Sequence, residues 1–159
     1  MNIVSAFSGY SSDQITECTK FYRDILGLTL KEDMGGIGFD INGLSVFIYP
    51  KQDHEPATYT VLNFVVDDIN TSIDELKTKG VTFERYDNLP AKQDERGVLR
   101  GLEAGMGPDI AWFRDPSANI LALVQTSQRS KCRTCAFHNI NESEGENEAK
   151  NYTKPMVCG

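Results

Sequence analysis

Four residues near the C-terminus have the types and spacing that hold soft metal ions. Cys132, Cys135 and His138 form a C-x-x-C-x-x-H run, and Cys158 supplies a distant thiol. Thiolate and imidazole are the ligands of structural zinc. A second C-x-x-C pair would complete the usual pattern, and the chain has none. Redox pairing of Cys132 with Cys135 or Cys158 stands level with zinc, and incidental cysteines in a variable tail are the leading reading. Arg85, Lys92, Asp94, Arg96 and Arg100 make a second charged group. As a lid they would hold an anionic ligand. As a solvated loop they would simply stay hydrated, the usual state of charged side chains. No Ser–His–Asp or Cys–His arrangement is evident, nor a phosphate loop. Gly35, Gly36 and Gly38 lack the strand-to-helix context of a dinucleotide site and read as a turn.

The elements that position such residues fit one main domain, since 159 residues suffice for a sizeable core. Hydrophobic residues make up 40% and charged residues 25%, a globular composition. A net charge of −7 argues against a basic footprint for nucleic acid or an anionic membrane. MNIVSAFSGY has no basic segment followed by a long apolar run, so no signal peptide is expected, and no stretch reaches the length of a membrane span. The expected compartment is cytoplasmic, with reduced cysteines.

Residues 3–7 (IVSAF) alternate as a short strand. SSDQ at 11–14 has the S-x-x-Q capping-box spacing. A helix to about residue 26 then carries Ile15, Cys18, Phe21, Tyr22, Ile25 and Leu26 on one stripe, and Gly27 is placed to end it. Residues 28–33 form the next strand. Asn42-Gly43 between two apolar runs is the strongest short hairpin signal, Pro50 closes that hairpin, and 51–56 reads as a linker. The order then repeats. Residues 58–66 are a strand, and Asp67 or Asp68 caps a helix to Lys79 with Ile69, Ile73 and Leu76 inward. Gly80 ends this helix and 81–86 form a strand. The hairpin IAWFRDPSANILALVQ at 110–125 closes the chain's second half. Such self-similarity points to a duplicated unit. Residues 87–108 are a long polar insertion before that hairpin, of a length often functional or mobile. The expected fold is therefore α+β, two tandem β-α-β-β-β modules over about 1–50 and 57–126, followed by a Cys-containing acidic tail at 127–159.

This duplicated order, with FYRDILGLTL at 21–30, VVDDINTSIDELKTKGVTF at 65–83 and the DP-x-x-N turn at 115–119, resembles the vicinal-oxygen-chelate superfamily. That superfamily includes glyoxalase I, extradiol dioxygenases, fosfomycin-resistance enzymes and bleomycin-resistance proteins. The resemblance implies a curved, cup-shaped mixed sheet with helices outside. It also implies metal ligands, typically His, Gln or Glu, on the first, fourth, fifth and eighth strands. Ser5, Phe47, Val61 and Ala122 align there, with Tyr49 as the alternative to Phe47. None is a usual ligand, and His54 and His138 fall in the linker and the tail. Divalent metals need imidazole or carboxylate donors. No metal or other cofactor is expected in the cup.

The resemblance then gives a cup lined by Ser5, Phe7, Phe47, Tyr49, Val61, Asn63, Trp112 and Ala122. An apolar pocket with a few convergent polar groups suits a small molecule; core filling is the alternative for each aromatic. The expected function is metal-free binding of a small, partly aromatic compound. The alternative is a lyase, isomerase or dioxygenase-type enzyme acting on a small oxygenated substrate. The expected partners are that ligand and a second copy of the chain, with no nucleic acid and no membrane.

Overall fold

Two tight turns set the first module. Asn42 and Gly43 both have positive φ, 47° and 91°, the backbone of the two-residue turn that matches strand twist. They join β3 (Gly36–Ile41) to β4 (Leu44–Pro50). Met34 and Gly35 repeat the geometry at φ 44° and 74° and join β2 (Lys31–Asp33) to β3. Strand β1 (Ser8–Ser12) runs parallel to β4, so the first sheet has the order β1-β4-β3-β2. The computed structural model describes residues 1–90 and 92–127. Cys132, Cys135, His138 and Cys158 lie outside the described residues. No helix among the described residues is long and apolar enough to cross a membrane.

Strand β1 lies later than alternation predicts. Residues 1–7 are exposed and precede it. The polar-looking stretch SGYSS forms the strand because its inward residues, Tyr10 and Ser12, find hydrogen-bond partners inside the core. The capping box is also displaced. Ser12 Oγ accepts from the Gln14 amide at 2.9 Å, and helix α1 (Ile15–Lys20) starts without a side-chain cap. The helix widens into a π-type turn over Phe21–Ile25, and Gly27 at φ 74° ends it. Cys18, Phe21 and Tyr22 are its buried residues, as the stripe predicts.

The second module repeats the plan. Strand β5 (Thr60–Val65) leads to helix α2 (Ile69–Thr78), whose Asp68 cap accepts from the Thr71 amide at 2.7 Å. Ile69 and Ile73 are fully buried, and burying each contributes about 1.5–3 kcal/mol. The hairpin of β7 (Asp109–Arg114) and β8 (Ile120–Gln125) then closes a sheet of order β5-β8-β7-β6. Its edge differs from the expected strand at 81–86. Only Phe83 bridges β7 there, opposite Phe113. The ladder resumes at β6 (Val98–Arg100), opposite Asp109–Ala111. The edge strand is thus interrupted by residues 84–97, and part of the long insertion is itself sheet. Both modules share one hydrophobic core, in which Phe21 of the π-type turn meets Phe113 of β7 at 6.3 Å between ring centroids.

Candidate functional site

In each sheet, alternate residues face the helices and fill the core, so the residues between them line the other, open face. Register places three residues side by side on each open face. In the first sheet Gly9, Phe47 and Gly38 are cross-strand neighbours. In the second, Asn63, Ala122 and Trp112 are. The two rows are inverted in size: a ring between two glycines, and a methyl between an amide and an indole. A Cβ at Gly36 would stand 2.9 Å from Phe47 Cζ, so the Phe47 ring leans over bare backbone. An open hollow of about 410 Å³ beside it is lined by Lys31, Asp33, Gly38, Asp40, Ser45 and Phe47 among others. Ser45 and then Lys31 hold the Asp40 carboxyl below its ordinary value.

The residues expected to line a cup divide. Phe47 and Trp112 are half-buried on the open faces, and Ala122 is fully buried there. Tyr49 shares the β4 face and is 42% exposed. Val61 is half-buried at a register shift between Thr60 and Leu62. Ser5 and Phe7 stand on exposed chain before β1 rather than on the first strand, and Phe7 is 70% exposed. Asn63 is exposed, not a buried amide, because β5 is a sheet edge. Trp112 is fixed at both ends: Nε1 donates to Thr60 Oγ1 at 3.1 Å, and Tyr86 packs edge-on at 5.6 Å.

Three arginines in or beside the insertion are engaged within the fold. Arg85 donates to the Asp94 and Glu95 carbonyls, and Arg96 pairs with Asp74 of α2. Arg100 spans Asp94 and Asp109, at 2.8 and 3.0 Å, and also donates to Asn70. These side chains hold residues 94–100 against α2 and β7.

A polar cluster joins the modules beside the turn after β7. Asp115 accepts from the Ser117 and Asn119 amides, from Asn119 Nδ2 and from the Tyr22 hydroxyl. Burial pushes its carboxyl above the ordinary value, against the pull of these donors. Next to it, His54 bridges the modules. One ring nitrogen, Nε2, lies 2.9 Å from the Ser117 carbonyl and the other, Nδ1, 2.8 Å from Ser11 Oγ. A carbonyl only accepts, so Nε2 carries the proton and Nδ1 of the neutral ring is left to accept from the Ser11 hydroxyl. The two residues are 43 positions apart, and only the fold joins them.

Metal binding on the open faces would need imidazole or carboxylate donors at facing strand positions. Gly9, Phe47, Asn63 and Ala122 supply none. Among the described residues, no three His, Cys, Asp or Glu side chains lie together as a metal would require. The site does not fit a catalytic divalent ion.

Residues 9–123 match the family model of the Glyoxalase/Bleomycin resistance protein/Dioxygenase superfamily. The fold is similar to the genomically encoded fosfomycin resistance protein of Listeria monocytogenes, with a TM-score of 0.57 at 15% identity over 80% of this chain and 97% of that one. It is similar to lactoylglutathione lyase from Agrobacterium tumefaciens, with a TM-score of 0.52 at 14% identity over 78% and 95%. A protein from the mobile metagenome of V. pseudocholerae gives a TM-score of 0.52 at 22% identity over 80% and 98%. No curated protein matches the chain.

Proposed function

Because the chain belongs to the Glyoxalase/Bleomycin resistance protein/Dioxygenase superfamily, we propose that it is a metal-free binding protein for a small, partly aromatic compound. The observation that carries this reading is the row Asn63–Ala122–Trp112. An amide and an indole flank the small, buried Ala122 side chain on one face. Aromatic rings offer large contact area to flat ligands, and an exposed amide offers a donor and an acceptor. Side chains without imidazole or carboxylate at the family's ligand-bearing strands favour binding over the metal-assisted chemistry of lyase- or dioxygenase-type members. The same reading includes a homodimer and a cytoplasmic location.

Trp112 is the chain's single tryptophan, so its fluorescence reports on this row. Titration with a panel of planar aromatic compounds should quench or shift it saturably and return each compound unchanged. Asn63→Leu should weaken binding by about 1–3 kcal/mol, the cost of an unpaired polar partner. Calorimetry that finds no binding across the panel refutes the reading. Turnover of a bound compound that survives chelator replaces it with metal-free catalysis.

A further inference from the structure

We infer that Ser11 and His54 form a nucleophile–base pair that accepts acyl groups from small aryl esters. Geometry comes first. Ser11 lies on β1 between Tyr10 and Ser12, both buried on the helix side, so its side chain takes the opposite, open face. The strand itself is held there by Asn119, whose Nδ2 donates to the Ser11 carbonyl at 3.0 Å. His54 reaches Ser11 from the linker after β4, at 2.8 Å. The group that orients His54 is fixed in turn. Ser117 donates its amide to Asp115 at 3.0 Å, and its hydroxyl meets Ser12 Oγ at 2.7 Å. A nucleophile within reach of a base, with the base held by a third group, is the arrangement that activates a serine hydroxyl. Here a backbone carbonyl takes the place of the carboxylate and fixes the opposite tautomer, with the proton on Nε2 and Nδ1 left as the base.

The neighbours indicate the substrate class. Tyr49 is the β4 partner of Ser11 and is 42% exposed. Its ring lies where an aryl leaving group would stack beside the nucleophile.

The reaction balances without a metal. Ser11 Oγ attacks the ester carbonyl and its proton passes to His54 Nδ1. The bond from the carbonyl carbon to the aryl oxygen breaks, and the phenol leaves with that proton. Water then attacks the acyl-serine, giving its proton to the same nitrogen, and Ser11 recovers the proton as the carboxylic acid departs. This inference does not rest on the binding reading, since it concerns β1 and the linker rather than the Trp112 row.

The test uses the full chain and p-nitrophenyl acetate. Expected are a burst of p-nitrophenol and one acetyl group mapped by peptide mass spectrometry to Ser11. Ser11→Ala should abolish the burst. His54→Gln should slow acylation by about 10²–10⁴-fold, the usual worth of a positioned base. Melting curves accompany both variants, because His54 also ties the linker down. If His54→Gln unfolds, the decision falls to Ser11→Ala, which deletes one hydroxyl. Acetyl groups confined to other residues, or equal p-nitrophenol release from wild type and Ser11→Ala, overturn the inference and leave binding at Trp112 untouched.

Discussion

The phenol of Tyr22 donates to Asp115 Oδ2 at 3.0 Å, tying the first module's helix to the second module's closing turn. Tyr10 lies 2.9 Å from the same phenol. A hydroxyl has one proton to give, so Tyr10 donates to Tyr22 and Tyr22 to Asp115. The Tyr22 ring also stacks on Phe39 at 5.6 Å. Tyr22→Phe keeps the ring and removes both hydrogen bonds. It should cost about 1–3 kcal/mol, because buried partners are left unsatisfied. Urea unfolding checks this, and an unchanged midpoint would show the phenol to be idle.

Asp115 gives the fold an unusual pH dependence. Its folded carboxyl is raised above the ordinary 3.8, first by burial. The folded state then binds a proton that the unfolded chain releases. The resulting stability is fully present below the unfolded value and is lost as pH rises through the folded one. Exposed carboxylates such as Asp68, lowered by the Thr71 amide, act in the opposite sense. The difference between wild type and Asp115→Asn isolates the buried group. Their stability gap should be widest below pH 3.8 and narrow as pH rises; a gap that widens instead would reverse the assignment.

Arg100 concentrates three contacts in one side chain, to Asp94, Asp109 and Asn70. With the guanidinium side chain 27% exposed, solvent screens part of this. Arg100→Met should cost about 1.5–3 kcal/mol, the range for hydrogen bonds to charged groups, and sit toward its lower end. Because these contacts bind residues 94–100 to α2 and β7, amide exchange should quicken there before it does in β8.

Local signals explain what the sequence disclosed. Asn42-Gly43 needs only its own backbone angles to declare a turn, and Asp68 caps the helix that starts one residue later. Ile69, Ile73 and Leu76 mark one helical face by spacing alone. Partners far along the chain hid the rest. Tyr10 and Ser12 look unlike strand core until Tyr22 and Ser117 satisfy them. The alternating IVSAF reads as a strand yet is left exposed ahead of β1. The split edge was masked because Phe83 and Val98 both pair with β7 across fourteen intervening residues of polar chain. Trp112 and Ala122 pair across a hairpin, whose register is local, whereas Asn63 needed the strand order to show that it sits on an edge.

Gly36 controls how Phe47 lies. A Cβ there would run into the Ile48 carbonyl, which is backbone, and stand 2.9 Å from the Phe47 ring. Neither the strand nor the ring can yield without disturbing β3 and β4. Gly36→Ala should therefore cost about 1–3 kcal/mol, as overpacking does, measured by chemical unfolding. The neighbouring Gly38, with no atom closer than 3.6 Å to its Cβ position, should accept Ala with a smaller loss. Equal losses at the two positions would show that the close approach at Gly36 is not limiting.

The proposed homodimer follows from what the open side leaves uncovered. Phe7, Tyr59 and Val65 are each 70% exposed, and Tyr49 is 42% exposed. Strands β1 and β5 are outer strands of their sheets. Uncovered apolar side chains beside outer strands favour association, and a two-fold arrangement lets each copy bury the same patch. Light scattering should give a dimer mass at micromolar concentration. Val65→Glu, which places a charge on β5 while leaving the core residues Leu62 and Leu123 in place, should shift the mass toward the monomer without lowering the melting temperature of the separated chain. A monomeric mass for the wild type throughout that range excludes the dimer, and a Val65→Glu chain that remains dimeric moves the interface away from β5.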